Sequence, residues 1–392
     1  MEDILVQSAA ASDAAGHPDV SIIVPTINEA ENLPVLLERI AAALAGASWE
    51  VLIVDDNSRD ATPRVCAQLA QRYPLKLLVR AKPANGLSGA VLHGMAAAGG
   101  KFLCVMDADL QHPPERLAAL LEPLRSGEAD FVLGSRYMPG GSTDDEWGIF
   151  RKFNSQLATL LARPFAGRTT DPMAGFFALK RESYAAATNL TPLGYKIALE
   201  LMCKCRVKTV KEIPIHFGMR QRGESKLSLK QQFRYLEHLS RLYDFKYPRA
   251  SPIVKFFIAT AASWLVGLGM YLPLIRAGDG QDHAIALAYL PAIAVTAIFH
   301  VRYVRTQREF LSRQTPWLDF AVISVAEWIV AMVSAWWIAR RVTEPGTWET
   351  FVVCFGLATL TRYVLRKEFL LDIRGLRRTL PREAESKPRS AD

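Results

Sequence analysis

The apolar run FLCVM is followed at once by side chains that suit metal and phosphate chemistry. Asp107 and Asp109 flank Ala108, and Gln111 comes two residues later. Carboxylate and amide oxygens at a strand end are ligands for hard divalent cations such as Mg²⁺ or Mn²⁺, which neutralise the charge of a departing nucleotide diphosphate. Short acidic turns are also common in solvated loops, so this triplet is informative only together with the elements around it.

A second pair of carboxylates, Asp55 and Asp56, ends the run VLIVDD. Open α/β sheets bind ligands beyond the carboxyl ends of their strands, which favours contact with a base or ribose here. Capping of the next helix by Asn57, Ser58 or Asp60 explains the same turn, and both interpretations can hold. The chain has neither GxGxxG after its first strand nor GxxxxGK[ST], which disfavours dinucleotide oxidoreductases and P-loop proteins.

The elements that position these residues are predicted from short apolar runs that alternate with helical stretches between Val20 and about Val210. Such alternation indicates a mostly parallel sheet covered by helices, an α/β fold. The stretch NEAENLPVLLERIAAALAG has apolar residues at helical spacing, with Asn28 as its expected N-cap. The predicted strands are SIIVPT, VLIVDD, LKLLVR, FLCVMDAD and DFVLGSR, and SGAVLHGMAAAG is a further helix.

The chain changes character after Pro248, where long apolar runs begin. They cover residues 256–275, 284–299, 320–339 and 351–360. A membrane-spanning helix needs about 20 residues, which the fourth run reaches only when it is extended from Trp348 to Leu365. Because Trp and Arg flank the runs, we predict about four transmembrane helices rather than a buried soluble bundle. Glu327 lies within the third run, where we expect helix packing rather than lipid-headgroup handling to explain it.

Positive charge accompanies the apolar runs. The formal net charge is +8, and basic residues crowd at 220–249, 302–313 and 362–389. Their position beside apolar runs favours a membrane surface over nucleic acid. The arginines between the second and third runs and the basic C-terminal tail are expected to face the cytoplasm, and an even number of crossings places the N-terminal domain there too. Five cysteines without paired spacing predict neither a disulfide framework nor a zinc site.

The expected domain order follows from these patterns. The segment from Ser228 to Tyr247 has apolar residues at helical spacing with basic residues between them, which suits an interfacial helix, although packing on the catalytic domain is an equal alternative. We expect a flexible tail at 1–19, the α/β domain at 20–227, amphipathic interfacial helices at 228–250, a transmembrane domain at 251–367 and a basic cytoplasmic tail at 368–392.

Six motifs occur in a fixed order along the α/β part of the chain: VPTINEAENL, VDDNSRDAT, GLSGAVLHGM, MDADLQHPPE, GSRY and RQRGESKLSL. Together they resemble the dolichyl-phosphate mannose synthases over roughly residues 20–245. The resemblance implies a Rossmann-like GT-A fold that binds a nucleotide-sugar. It also implies an inverting enzyme that transfers mannose from GDP-mannose to a polyprenyl (dolichyl) phosphate, with Mg²⁺ or Mn²⁺ as cofactor.

The resemblance also implies roles for residues that match the family's motifs. Asp107, Asp109 and Gln111 would serve the diphosphate and the metal, with Asp109 and Gln111 as metal ligands. The remaining donor-site residues would be Pro25, Ile27, Glu29, Val54, Asp56, Ala108, Lys196, Arg220 and Lys226, with Ser225 assisting. Family members often have Tyr at the position of Ile27, so one aromatic contact is missing here.

The lipid phosphate needs its own cations, and the resemblance places Arg136, Arg151 and Ser155 around it, with Arg136 as a catalytic residue beside Asp107 and Asp109. Arginine presents a planar fork to phosphate oxygens and keeps its charge. The acceptor phosphate is already anionic near neutral pH, so we expect positioning and charge stabilisation rather than a strong general base to drive the reaction.

Two alternative functions stay open at the level of the sequence. A polyprenyl-phosphate glucose synthase that uses UDP-glucose is the first, because no residue argued above distinguishes the configuration of the sugar's 2-hydroxyl group. A lipid-linked-sugar flippase or scaffold with a ligand-binding α/β domain is the second. The C-terminal apolar part weakly resembles a small four-helix family associated with polyprenyl-linked sugar transfer. The sequence predicts no oligomeric state.

Overall fold

The computed structural model describes residues 5–7, 17–144, 149–194, 196–218, 229–299, 316–342 and 346–370. The chain divides into two compact units, Met1–Lys246 and Tyr247–Asp392. The described residues of the first unit form a sheet covered by helices, and those of the second form helices only.

The first unit is built on one large sheet. Its strands are β1 (Leu5–Gln7), β2 (Val20–Thr26), β3 (Trp49–Asp55), β4 (Leu75–Val79), β5 (Phe102–Val105), β6 (Phe131–Ser135), β8 (Phe177–Lys180) and β9 (Val210–Pro214). Within the described chain, their order is β1-β4-β3-β2-β5-β8-β6-β9. Strands β2 to β6 run parallel to one another, because β6 is antiparallel to β8 and β8 is antiparallel to β5. Their carboxyl ends therefore share one edge of the sheet.

Two short strands lie outside this sheet. Strands β7 (Ser142–Thr143) and β10 (His216–Phe217) pair in parallel with each other. The backbone N of Ser142 donates to Ile215 O at 3.0 Å, beside the end of β9. This small sheet carries the chain past the same edge at which β6 and β9 end.

Helices cover both faces of the large sheet. They are α1 (Leu33–Ala43), α2 (Thr62–Leu69), α3 (Gly86–Ala97), α4 (Leu117–Arg125), α5 (Ile149–Ala166), α6 (Arg181–Ala185), α7 (Ile197–Lys204) and α8 (Leu229–Lys246). One core joins α1, α2 and α4 to the sheet, and a second core joins α3, α5, α7 and α8 to the opposite face. Because both faces are buried, the central strands β2, β3 and β5 are largely apolar, which is why they appear in the sequence as nearly continuous runs.

The α/β prediction is confirmed, and the five predicted strands correspond to β2 to β6. Two local predictions are wrong. Asn28 is not the N-cap of α1, because it adopts a left-handed turn with φ of 59° and the helix starts only after Asn32. β5 ends at Val105 rather than at Asp109. Strands β1, β8 and β9 have no counterpart in the predicted set.

Helix α8 packs on the first unit through a buried polar cluster. Glu200 in α7 is fully buried and accepts hydrogen bonds from His238 Nε2 at 2.6 Å and Lys204 Nζ at 2.8 Å. Burial alone would raise the pKa of Glu200, but the two hydrogen bonds outweigh it and lower this pKa. Leu239 and Leu242 are buried beside the cluster. One face of α8 thus belongs to the core of the first unit.

The second unit contains four helices in its described part: α9 (Ser251–Arg276), α10 (Gln281–Phe299), α11 (Pro316–Arg341) and α12 (Thr347–Leu370). By length and composition, α9, α10 and residues 320–341 of α11 could span a membrane. α12 is not among these candidates within the described chain, because Glu349 and Arg362 interrupt its apolar stretch. The four predicted helices are therefore present, and three of them have the character of a membrane span.

The interior of this unit is aromatic and closely packed. Tyr271, Tyr289 and Phe355 are fully buried. The rings of Tyr289 and Phe355 lie with their centres 4.9 Å apart. A Cβ atom added at Gly267 would lie 2.5 Å from the Phe355 ring, so α9 approaches α12 at a position where only glycine fits.

Glu327 meets a partner that the sequence analysis did not identify. Arg362 donates from Nε to Glu327 Oε1 at 2.7 Å and from Nη2 to Oε2 at 2.5 Å. Tyr289 donates its hydroxyl to Glu327 Oε2 at 3.2 Å. Glu327 and Arg362 are 1% and 2% exposed, so this cluster joins α10, α11 and α12 inside the unit. These contacts agree with helix packing, which was the expected explanation of Glu327.

Candidate active site

The acidic motif after β5 forms a tight turn. Leu110 has a φ of 62°, a left-handed conformation that reverses the chain directly after Asp109. Asp109 is 5% exposed and its Oδ1 accepts a hydrogen bond from Gln111 N at 3.2 Å. The Asp107 side chain is 33% exposed. The turn therefore buries one carboxylate and leaves the other accessible at the edge of the sheet.

Gln111 connects this turn to the residue that follows β10. Its side-chain Nε2 donates to Gly218 O at 3.1 Å, and Gly218 N donates back to Gln111 O at 3.1 Å. Because the amide nitrogen serves this contact, the side-chain oxygen Oε1 is the end suited to a cation. The two hydrogen bonds fix the side chain against a segment that is 107 residues away in the sequence.

Asp109 and Gln111 together offer the oxygen donors that a hard cation prefers. Mg²⁺ is commonly held by one or two carboxylates and substrate phosphates rather than by a complete protein cage. Within the residues that the structure describes, no group of three or more His, Cys, Asp or Glu side chains could hold a metal ion. The donor set therefore fits a divalent cation that shares its coordination with a bound diphosphate.

The turns after β2 and β3 lie side by side and are hydrogen-bonded to each other. Asn28 N donates to Ser58 Oγ at 2.8 Å, and Arg59 N donates to Asn28 Oδ1 at 2.9 Å. The fully buried Asp55 accepts from the backbone N of Ser58 at 3.0 Å and from the Ser58 hydroxyl. Asn28 and Asn57 each have a φ of 59°, a region that asparagine tolerates better than most residues. Of the three predicted capping residues, Asp60 bonds to the start of α2, since its Oδ1 accepts from Thr62 N at 2.9 Å, although the N-cap position itself is Ala61.

Asp56 follows β3 and is balanced by Arg80. Its Oδ1 lies 3.1 Å from Arg80 Nη1, yet this buried oxygen has no hydrogen-bond partner among the described residues. Burial raises the pKa of Asp56, and the charge of Arg80 opposes that rise. The Arg80 guanidinium also donates to Ala84 O at 2.5 Å and Gly86 O at 3.3 Å. A buried acceptor without a partner is suited to an N–H donor of a ligand.

The second glycine of the GLSG motif is explained by close packing. A Cβ atom at Gly89 would lie 2.1 Å from Ala84 O and 3.1 Å from Arg80 Nη2. Only glycine lets the first turn of α3 approach the arginine this closely. The motif therefore supports the ion pair between Arg80 and Asp56 rather than contributing a side chain of its own.

Arg136 follows β6, and its guanidinium is held from several directions. Nε and Nη2 donate to Asp171 Oδ2 and Oδ1 at 2.7 and 3.0 Å. The guanidinium carbon lies 5.2 Å from the centre of the Tyr137 ring and 5.1 Å from that of Phe217. Glu212 fixes Asp171 by accepting its backbone N–H at 2.9 Å. The fork engages two of the five guanidinium N–H groups, so Arg136 is oriented by the protein and still 16% exposed.

Lys196 interacts electrostatically with the acidic turn after β5 and with the Arg136–Asp171 pair. Burial and then the charge of Arg136 lower the pKa of Lys196 to about 8, against the opposing effect of Asp171 and Asp107. The ammonium group thus interacts with the acidic turn after β5 and with the arginine after β6. The carboxyl edge of the sheet therefore carries a cluster of two carboxylates and two cations.

The remaining predicted donor residues lie at the same edge. Pro25 is paired with Val54 across β2 and β3. Ile27 is 52% exposed, and Glu29 accepts a hydrogen bond from Asn32 Nδ2 at 2.6 Å. Ala108 is buried in the acidic turn. Arg220, Ser225 and Lys226 lie outside the described residues, as do the side chains of Arg151 and Ser155 in α5.

Four residues of this edge were not singled out from the sequence: Arg80, His112, Asp171 and Phe217. His112 lies inside the quoted motif MDADLQHPPE, so its place beside the acidic turn was available as a signal. Arg80 ends the predicted strand LKLLVR, where a basic residue opposite the VDD turn was also visible. Asp171 and Phe217 lie far along the chain from the residues that they contact, and no local pattern marks them.

Comparison with known proteins identifies the family of the chain. A model of the family "Glycosyl transferase family 2" matches residues 21–186. The dolichol-phosphate mannosyltransferase of Pyrococcus furiosus is 39% identical over 282 residues, 71% of this chain and 78% of that protein. The enzyme of the same name from Saccharomyces cerevisiae is 40% identical over 241 residues, 58% of this chain and 88% of that protein. The chain therefore belongs to glycosyl transferase family 2, within its group of dolichol-phosphate mannosyltransferases.

Solved structures resemble the chain more distantly. The crystal structure of glucosyl-3-phosphoglycerate synthase from Mycobacterium tuberculosis with Mn²⁺, UDP-glucose and phosphoglyceric acid has a TM-score of 0.44 and 20% sequence identity. The match covers 59% of this chain and 80% of the chain in that structure.

Proposed function

We propose that the protein transfers mannose from GDP-mannose to a polyprenyl phosphate with inversion, giving polyprenyl-phosphate mannose and GDP. The observation that carries this proposal is the joint placement of the acidic turn at Asp107–Asp109 and Arg136 on one sheet edge, where the Phe217 ring contacts both the Arg136 guanidinium and His112 beside the turn. The names of the most similar relatives support the choice of sugar and acceptor. The class of enzyme follows from the family.

On the donor side, the nucleotide would lie over the turns after β2 and β3. The buried Oδ1 of Asp56 is suited to accept an N–H of the base, and Arg80 keeps its carboxylate charged. The diphosphate would then reach the acidic turn after β5. Arg220 and Lys226, which resemblance assigns to the donor phosphates, would add positive charge there.

Asp109 and Gln111 would hold Mg²⁺ or Mn²⁺ against the diphosphate. When bound, such a cation neutralises the negative charge that develops on the departing nucleotide diphosphate. Asp107, which is exposed at the mouth of the turn, would contact the donor. Both aspartates act through their negative charge and lone pairs, and neither is needed as a proton acceptor.

On the acceptor side, Arg136 would orient the lipid phosphate, with Arg151 and Ser155 nearby as the resemblance implies. A phosphate oxygen attacks the anomeric carbon of the sugar, and the bond from that carbon to the β-phosphate oxygen breaks with its electron pair. The attacking oxygen carries no proton near neutral pH, so no base is required. The protein contributes position and charge compensation.

The membrane arrangement is part of the same proposal. Three apolar helices could span a bilayer. With α12 as a fourth crossing, the number of crossings is even, and we place the protein as multi-pass with the catalytic domain and the C-terminus on the cytoplasmic side. Helix α8 would lie at the membrane surface, because its side chains Phe233, Leu236 and Phe245 are between 41% and 53% exposed. The domain bounds given from the sequence change at two places: residues 5–7 form β1 of the sheet, and the first compact unit extends through α8 to Lys246.

The decisive experiment uses the full-length protein in lipid with a short polyprenyl phosphate and Mg²⁺ or Mn²⁺. GDP-mannose and UDP-glucose are offered in parallel, and the lipid product and released nucleotide are quantified. We expect GDP release that depends on the polyprenyl phosphate and matches the mannosylated lipid one to one. Turnover with UDP-glucose alone would replace the sugar, and an absence of transfer from either donor would favour binding or transport.

A further inference from the structure

Three aromatic rings form a bridge beside the candidate active site. His112 stacks on Phe176 with ring centres 5.4 Å apart and an angle of 18° between the planes. Phe217 lies against the other side of His112, again 5.4 Å away and at 59°. Phe176 is fully buried and His112 is 3% exposed. The bridge joins the acidic turn, the strand β10 and the core of the sheet.

One end of the bridge is fixed to the donor side. Asp107 N donates to His112 Nδ1 at 3.0 Å, so this ring nitrogen is an acceptor and the proton of the neutral ring lies on Nε2. The Asp107 carboxylate is 3.8 Å from the same nitrogen, but it cannot accept a proton from an atom that is itself an acceptor. A Cβ atom at Gly175 would lie 3.1 Å from the His112 ring, so a larger residue there would press on the ring.

The other end of the bridge touches the acceptor side. The Arg136 guanidinium carbon lies 5.1 Å from the centre of the Phe217 ring, within the range of a cation–π interaction. Asp171 holds two N–H groups of the same guanidinium at 2.7 and 3.0 Å. The carboxylate fixes the edge of the guanidinium, and the Phe217 ring fixes its face. Phe217 therefore contacts the donor-side histidine and the acceptor-side arginine at the same time.

The backbone of Phe217 is itself held on both sides. It pairs with Thr143 in the small parallel sheet, and Phe217 O accepts from Asp144 N at 3.2 Å. The next residue, Gly218, exchanges two hydrogen bonds of 3.1 Å with Gln111. Because its backbone is held by these hydrogen bonds, the Phe217 ring has a defined position relative to the acidic turn.

We propose that Phe217 is a positioning residue that sets the distance between the acceptor phosphate and the donor sugar, through Arg136 on one side and His112 on the other. The proposal rests on the proposed function, because it assigns Arg136 to the lipid phosphate. In a purely structural role, any apolar side chain of similar size at this position would serve. A positioning role through the aromatic face requires the ring itself.

The test is kinetic and uses the full-length protein in lipid. Phe217→Leu is expected to raise the KM for polyprenyl phosphate about tenfold, because the guanidinium loses the ring that orients it, while GDP affinity stays within about twofold. Phe217→Tyr keeps an aromatic face and is expected to restore the wild-type KM. Tyr73→Leu is the matched control. The guanidinium carbon of Arg72 lies 5.7 Å from the centre of the Tyr73 ring, so this variant also removes a ring beside an arginine. Tyr73 lies at the opposite edge of the sheet.

His112→Phe separates the two ends of the bridge. This variant keeps a ring between Phe176 and Phe217 but loses the acceptor for Asp107 N, so weaker GDP and Mn²⁺ binding is expected with an unchanged KM for the lipid. An unchanged lipid KM in Phe217→Leu, or a Phe217→Tyr variant as impaired as Phe217→Leu, overturns the positioning role. If the wild type transfers no mannose, the proposed function fails instead, so the two failures are distinguishable.

Discussion

Two arginine–carboxylate forks, one in each unit, use the same chemical group in different surroundings. Arg136 binds Asp171 with bonds of 2.7 and 3.0 Å, and Arg362 binds Glu327 with bonds of 2.7 and 2.5 Å. Their exposure differs: the Arg136 side chain is 16% exposed, whereas that of Arg362 is 2% exposed. Fork geometry alone therefore does not mark a ligand site, and accessibility of the remaining guanidinium edge decides.

The neighbours of the two forks reinforce this difference. Arg136 has a second cation, Lys196, within electrostatic reach, and the two carboxylates Asp107 and Asp171 are near the same lysine. Arg362 is closed off by Tyr289, whose hydroxyl bonds to the same carboxylate. The second fork holds three helices together, whereas our proposal assigns the first to a charged substrate.

The largest expected effect concerns the acidic turn at Asp107–Asp109, which lies at the same sheet edge as the Arg136–Asp171 fork. Asp109→Asn removes a charged oxygen from the proposed cation site, and we expect kcat to fall by about 100- to 1000-fold without a change in thermal unfolding. Turnover at saturating Mg²⁺ or Mn²⁺ measures it, with Asp19→Asn as a remote carboxylate control. Wild-type turnover in Asp109→Asn would remove this residue from the chemistry.

The buried Arg362–Glu327 fork should matter for stability instead. Arg362→Met leaves the Glu327 carboxylate buried without its cation, and we expect the second unit to lose about 3 kcal/mol of unfolding free energy. The double variant Arg362→Met/Glu327→Gln removes both charges and should recover most of that loss. Denaturant unfolding in detergent, followed by tryptophan fluorescence, gives both values. A single variant as stable as the wild type would contradict the burial argument.

The accessible fork should show the opposite pattern. Arg136→Lys keeps the charge but cannot form the bidentate contact, so we expect kcat/KM for polyprenyl phosphate to fall about 10- to 100-fold. Unfolding free energy should change less than in Arg362→Met, because lysine keeps a positive charge beside the buried Asp171 carboxylate. If this variant instead unfolds early and retains its lipid kinetics, the two forks would have the same role.

The smallest effect is a change in pH dependence. With a pKa of about 8, Lys196 is mostly charged at pH 7 and mostly neutral at pH 9, so activity that uses its charge should decline as pH rises through 8. Lys196→Arg stays charged over this range. We expect the ratio of variant to wild-type kcat/KM to increase by about tenfold from pH 7 to pH 9. A constant ratio would show that the ammonium charge is not used.

Much of the fold could be predicted because its parallel strands are local apolar runs. VLIVDD and SIIVPT each specify a buried strand by composition alone, and their order with intervening helices defines the α/β class. Strand β8 could not be found this way, because FALK is only four residues long and its antiparallel pairing depends on β5 and β6. Strand β5 was predicted too long, since the left-handed turn at Leu110 leaves no mark in hydropathy.

The site was predictable where its residues are consecutive. Asp107, Asp109 and Gln111 share one turn, so their joint role is visible from spacing. Asp171 and Phe217 could not be predicted, because their contacts with Arg136 join residues that are 35 and 81 positions apart. Helix packing was expected to explain Glu327, but its partner Arg362 could not be identified because it lies 35 residues away on another helix.

The buried cluster at Glu200 also bears on how the polypeptide is made. His238 comes 38 residues after Glu200, so the catalytic unit lacks one of its internal contacts until α8 has been synthesised. Helix α9 begins five residues after α8 ends, at Ser251. On the ribosome, the catalytic unit would complete its folding almost as the first apolar helix emerges for delivery to the membrane. A fragment cut at residue 227 would carry Glu200 without its histidine, whereas a fragment that ends at Lys246 would be self-contained.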